Sequence, residues 1–127
     1  MITGIGMVTP IGTGWQDTWR NALAGTSGAA RISSFDASNM GVQIACEIDD
    51  FDPEQFMDRR AARRMDRFSQ VAVAAARLAL DDAAIDPTGP LGERTGAFIG
   101  SGIGGLATFV EQISLSLERG SGAPLQV

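Results

Sequence analysis

Thr95-Gly96-Ala97-Phe98-Ile99-Gly100-Ser101-Gly102-Ile103-Gly104-Gly105-Leu106 reads as an apolar run, a glycine-rich turn and the opening of a helix. The run over 95–99 predicts a strand. Phe109, Val110, Ile113 and Leu117 then recur at the spacing of one helix face over 106–118. A strand passing through glycines into a helix is the joint from which α/β layers are built.

Upstream, Phe68, Val71, Ala72, Ala75, Leu78, Ala79 and Asp82 or Ala83 predict the strongest helix, over 66–85, with side chains small enough for close packing on more than one side. Asp86-Pro87-Thr88-Gly89-Pro90 breaks it. Val42, Ile44, Cys46 and Ile48 alternate with Gln43, Ala45 and Glu47, a strand in which Cys46 shares the buried parity. Asp52-Pro53-Glu54-Gln55 offers a cap and a proline for the first turn of a short helix ending near Met57. Residues 1–8 read as a strand interrupted by Gly4 and Gly6, and residues 10–14 as a loop. Thr13-Gly14-Trp15-Gln16 matches a capping box, opening a helix that Gly25 ends. Trp15, Trp19 and Leu23 form one stripe on it and are expected as core anchors. Residues 120–127 predict a loop. The order strand, helix, strand, short helix, long helix, strand, helix favours an α/β layered sheet.

The chain has 127 residues and 13.3 kDa, with 44% hydrophobic and 20% charged residues, a composition for one globular domain. Histidine, lysine and tyrosine are absent, so this chain offers no imidazole base, no Schiff-base lysine and no P-loop lysine. Its one cysteine permits no internal disulfide or zinc cluster. No apolar stretch approaches the roughly 18 residues of a membrane span, and no basic segment leads into an apolar run near Met1. A reducing, cytoplasmic setting is the expectation, with no membrane partner.

The net charge of -5 argues against a general nucleic-acid binder. The charge is unevenly spread. Arg59, Arg60, Arg63, Arg64 and Arg67 face only Asp58 and Asp66 between positions 58 and 67, a local net of +3 on an acidic body. An anionic partner and a merely solvated helix face are both compatible with such a patch.

Gly100-Ser101-Gly102-Ile103-Gly104-Gly105 satisfies G-x-G-x-x-G, which raises a dinucleotide-binding turn. That fingerprint wants a second strand ending in an acid about 20 residues on, whereas Glu118 falls in the predicted helix. Glycines that let backbone approach a neighbour or an acyl chain fit equally well. Cys46 lacks any partner to lower its thiol pKa and reads as a small buried hydrophobe rather than a nucleophile. Asp81-Asp82 and Asp49-Asp50-Asp52 lie at element ends, where capping and solubility explain them; no metal site is expected.

Ile2-Thr3-Gly4-Ile5-Gly6-Met7-Val8-Thr9-Pro10-Ile11-Gly12 resembles the N-terminal signature of β-ketoacyl-acyl-carrier-protein synthases. Four segments agree in the family's order: Trp19 through Ala24-Gly25-Thr26-Ser27-Gly28, Ile32 through Phe35-Asp36, Arg63-Arg64-Met65-Asp66-Arg67-Phe68, and Ile99 through Leu106. The third and fourth look most like the type II synthases. The resemblance implies the N-terminal portion, over 1–127, of the first half of a thiolase-like layered αβαβα fold, incomplete in this chain. It further implies a homodimer that condenses malonyl-carrier protein with a cysteine-bound acyl chain and needs no cofactor. The family's nucleophilic cysteine and two histidines come beyond Val127, so no catalytic residue is expected here and the chain alone should be inactive. Ile103, with Gly102 and Gly104, matches the acyl-pocket wall. Arg60, Arg63 and Arg64 match basic positions that dock the acidic acyl carrier protein. An uncovered apolar sheet face or helix is also expected. A non-catalytic subunit similar to the chain-length factors of polyketide synthases, and a small nucleotide-binding domain, are the alternatives.

Overall fold

The computed structural model describes residues 1–119. The longest element is α3 (Arg67–Asp82). Its alanine-rich sequence favours helix, and it stops where Ala84 takes a left-handed φ of 52°. There the Ala84 and Ile85 amides fold back onto the carbonyls of Asp81 and Leu80, satisfying groups that the helix end leaves free.

Ala75, Ala79 and Ala83 line one face of α3 at i, i+4 and i+8, and residues 4–6 lie against it. A Cβ on Gly6 would enter the Ala75 carbonyl and stand 2.6 Å from the Ala79 nitrogen; one on Gly4 would stand 2.7 Å from the Ala83 nitrogen. The glycines predicted to interrupt a strand therefore permit backbone-to-helix contact. The Ile5 amide donates to Asp82 Oδ2 at 2.9 Å, and Trp15 Nε1 donates to Asp82 Oδ1 at 2.8 Å. Asp82 thus ties the N-terminal segment and α1 (Trp15–Leu23) to the end of α3. These two donors hold its carboxyl below the usual aspartate range, the Ile5 amide contributing most.

The expected strands are much shorter than their sequence patterns. Two antiparallel ribbons form, β1 (Val8–Thr9) with β2 (Gly12–Thr13) and β3 (Ala30–Arg31) with β4 (Ile44–Ala45). Residues 1–7 join no ladder: the Ile5 amide bonds to Asp82 of α3, and the Met7 carbonyl accepts from the Gly14 amide. Residues 95–99 have no ladder partner among the described residues, and Phe98 is fully exposed.

Alternation over 42–47 is present with its covered side reversed, and Ile48 beyond it is half-buried. Val42, Ile44 and Cys46 are exposed while Gln43 and Ala45 are half-buried. Cys46 is therefore not the buried hydrophobe expected, because nothing among the described residues covers that face. The stripe on α1 is corrected similarly: Trp15 is 37%, Trp19 61% and Leu23 70% exposed. With Ile5 and Met7, the two tryptophans line an open apolar pocket rather than a closed core. The predicted capping box also fails. Gly14, at φ 90°, occupies the cap position, and Thr18 bonds the Gly14 carbonyl.

Closed packing is concentrated where α3 meets a 3-10 turn (Pro53–Gln55) and α2 (Arg59–Ala62). Phe51, Ala62 and Ala74 are buried there, and the Phe51 and Phe56 rings stack at 5.8 Å. Asp52 caps the turn through the Glu54 amide, as its sequence predicts.

Glu47 pins the β3–β4 ribbon to the loop after β3. The Ser34 hydroxyl, then the Ser33 amide and hydroxyl, donate to its carboxylate and pull its pKa down to about 2. Since the folded value lies below the unfolded one of about 4.3, this contribution to stability is complete above that range and is lost as pH falls through 2. Carboxyl-carbon NMR is expected to place the Glu47 midpoint near 2; a midpoint at the ordinary glutamate value would show that the serine clamp is absent in solution.

Candidate functional site

Two groups of sequence-predicted residues occupy separate places. The first is α2. Asp58 caps it by accepting from the Arg60 and Ala61 amides at 3.0 and 2.9 Å, while buried Ala62 anchors its inner side. Gln70 Nε2, from α3, donates to the Ala62 and Met65 carbonyls at 2.8 and 3.2 Å, fixing the far end. So short a helix gains little from its own hydrogen bonds; these side chains hold it in place.

The five arginines divide sharply on this platform. Arg67 is tied back onto the chain: its guanidinium donates to the Phe51 and Ile48 carbonyls at 3.1 and 2.8 Å and lies 4.7 Å from the Phe51 ring centre. Arg59 pairs with Glu54 on the preceding turn, Nε to Oε1 at 3.4 Å. Arg60, Arg63 and Arg64 are exposed, and their guanidiniums have no hydrogen-bond or ion-pair partner among the described residues. Together with Arg59 they line one shallow depression. Three unneutralised cations converging on one hollow make an anion-attracting face.

The second group is the glycine loop before α4 (Leu106–Arg119). Gly104 has φ 77°, a left-handed value that favours glycine, and its amide donates to Ser101 Oγ at 2.9 Å. Gly105 lets the chain pass Asp66, since a Cβ there would stand 2.8 Å from the Asp66 carboxyl carbon. Thr108 Oγ1 donates to Asp66 Oδ1, linking α4 to the start of α3. Gly102 has open space around it, and Ile103 is 76% exposed. The apolar side of α4 is likewise uncovered, with Phe109, Val110 and Leu117 all exposed.

Sequence reasoning missed two roles. Arg67 was counted in the basic patch and is a strut; Asp82 was assigned to capping or solubility and is a cross-link. Both carried a signal. A cation in the first turn of α3 and an anion in its last oppose the helix dipole, so each calls for a specific partner.

The backbone course identifies the class. It superposes on the structure titled the ishigamide ketosynthase/chain length factor with a TM-score of 0.77 at 32% identity, covering 93% of this chain and 29% of that one. A β-ketoacyl synthase from Burkholderia phymatum gives 0.74 at 28% identity, over 96% and 30%. The fold is thus the ketosynthase, thiolase-like one, present in part. The β-ketoacyl synthase N-terminal domain family matches residues 1–124, and the chain belongs to it. Among its relatives is 3-oxoacyl-[acyl-carrier-protein] synthase 2 of Staphylococcus aureus (strain N315), 45% identical over 109 residues, 86% of this chain and 26% of that protein. The protein of the same name from Synechocystis is 40% identical over 120 residues, 94% and 29%. The chain therefore spans less than a third of the length of these relatives. No helix among the described residues is long and apolar enough to cross a membrane.

Proposed function

We propose that this chain is the N-terminal portion of the first thiolase-like half of a 3-oxoacyl-[acyl-carrier-protein] synthase, a cytoplasmic homodimer of fatty-acid elongation. The observation that carries the reading is the 45% identity to a synthase of that name. In this reaction the acyl chain is held as a thioester on an enzyme cysteine. Malonyl-carrier protein loses carbon dioxide, and the resulting carbanion attacks the thioester carbonyl, forming the new carbon–carbon bond and releasing the cysteine thiolate. The cysteine and two histidines belong to the part of the relatives' length outside this chain. Arg60, Arg63 and Arg64 attract the acidic carrier protein, and Ile103 with Gly102 and Gly104 forms acyl-pocket wall. The three unpaired guanidiniums support the first role. Support for the second is the placement of Ile103 beside Gly102, which has open space, and Gly104, which has positive φ.

The test is incubation of the full-length protein with acyl- and malonyl-carrier protein. Appearance of the 3-oxoacyl product with carbon dioxide supports the reading; neither product overturns it. Ile103→Phe is expected to lower kcat/KM for long acyl chains about tenfold while short chains keep theirs. An unaltered chain-length profile would remove Ile103 from the pocket.

A second reading, a non-catalytic chain-length-factor-like subunit, draws on the likeness to a structure whose title names both a ketosynthase and a chain length factor. A residue other than cysteine at the nucleophile position of the full-length protein would decide for it.

A further inference from the structure

The arginine face contains its own competitor. Glu54 sits on the 3-10 turn beside α2 and faces Arg59, one of the four arginines lining the depression, at 3.4 Å. Both side chains are more than half exposed, at 53% and 66%, so their attraction is weak and open to exchange. Asp58, the other acid at this end of α2, is occupied by the Arg60 and Ala61 amides and stands as the helix cap. Glu54 has no such backbone duty: its own amide serves Asp52, while its carboxylate reaches only the Arg59 guanidinium among the described residues.

We propose that Glu54 is a built-in stand-in for a carboxylate of the acidic carrier protein, occupying Arg59 until the partner's carboxylate displaces it. This rests on the docking role proposed for Arg60, Arg63 and Arg64. Those three have no ion-pair partner among the described residues and supply the long-range attraction, which acts before contact. Docking exchanges Glu54 for the partner's carboxylate, and the exchange leaves the number of ion pairs at Arg59 unchanged. Glu54 therefore subtracts from affinity while sparing an exposed cation from capture by other anions. It is a specificity-determining residue of the surface, with no part in the chemistry.

The test measures binding of purified acyl carrier protein to the full-length synthase and to its E54Q, R59Q and E54Q/R59Q variants, with R63E/R64E as control. Removing Glu54 is expected to tighten binding about two- to fivefold at low salt, the scale of one exposed pair. The gain is expected to fade as salt rises from about 0.01 to about 1 M, where the screening length falls from about 30 to about 3 Å. It is also expected to vanish when Arg59 is already glutamine. E54Q without effect, or a gain that persists in the R59Q background as a general charge effect, overturns the proposal. If R63E/R64E weakens binding while E54Q leaves it unchanged, only the Glu54 inference falls; if R63E/R64E binds as wild type, the docking reading falls and this proposal with it. Glu54 is exposed and holds no buried group, so the variant is expected to fold normally; its unfolding midpoint verifies this.

Discussion

Gly6→Ala is expected to destabilise the full-length protein by about 3 kcal/mol, the upper end of the cost of overpacking. The methyl would meet the Ala75 carbonyl and the Ala79 nitrogen, both backbone atoms of α3. No side-chain rotation relieves such a contact; either residues 4–6 move away from the helix or the helix bends. Movement would also draw the Ile5 amide from Asp82, breaking the 2.9 Å bond that closes the segment onto α3. Gly41→Ala is the matched comparison, because a Cβ at Gly41 meets nothing within 4 Å and its effect is expected to stay within about 0.5 kcal/mol. Urea unfolding of the two variants measures the difference. Equal midpoints would mean that residues 4–6 do not lie against α3 in solution.

The position of Gly6 shows what sequence patterns could and could not deliver. Helices α3 and α4 were legible because their periodicity depends only on the chain's own spacing: the expected 66–85 and 106–118 became Arg67–Asp82 and Leu106–Arg119. The Asp52-Pro53 turn was legible for the same local reason. Strands were not, because a ladder needs a neighbour that no local pattern names. Alternation correctly put Val42, Ile44 and Cys46 on one side, yet burial of that side depends on what covers it, and nothing among the described residues does. The tryptophan stripe of α1 failed in the same way. Residues 1–7 held a clearer hint: two glycines within three positions, set against an alanine row four residues apart on α3, describe backbone packed on helix rather than strand in sheet.

Of the candidate site, the basic segment was legible as charge and illegible as geometry. Counting gave five arginines; the structure leaves three of them free, commits Arg67 to the Phe51 and Ile48 carbonyls and pairs Arg59 with Glu54. The three free ones are Arg60, Arg63 and Arg64, the same positions singled out by family resemblance. The glycine loop divides in a comparable way: Gly104 and Gly105 are explained by φ and by the approach to Asp66, whereas Gly100 and Gly102 meet nothing within 4 Å. Neither has a packing explanation among the described residues, and for Gly102 the proposed acyl-pocket role supplies one.

If the proposed docking role holds, reversing Arg63 and Arg64 together to glutamate is expected to weaken binding of acyl carrier protein to the full-length protein about tenfold or more at low salt. Each reversal removes a positive charge and adds a negative one, so the segment from 58 to 67 passes from a net of +3 to -1 and would repel an acidic partner. Folding is expected to survive, since both side chains are exposed and neither guanidinium holds another group. Arg67 would be the wrong choice for this test: its guanidinium is bonded to two carbonyls, so a loss there would report the platform rather than the docking charge. Salt separates the two meanings. A charge-steered complex loses affinity as the screening length shrinks, and removing the steering charges flattens that dependence. Wild-type and variant curves are therefore expected to converge at high salt. Affinity that is unchanged at low salt, or a loss equally large at every salt concentration, would show that these guanidiniums are solvated surface and that the carrier protein docks elsewhere.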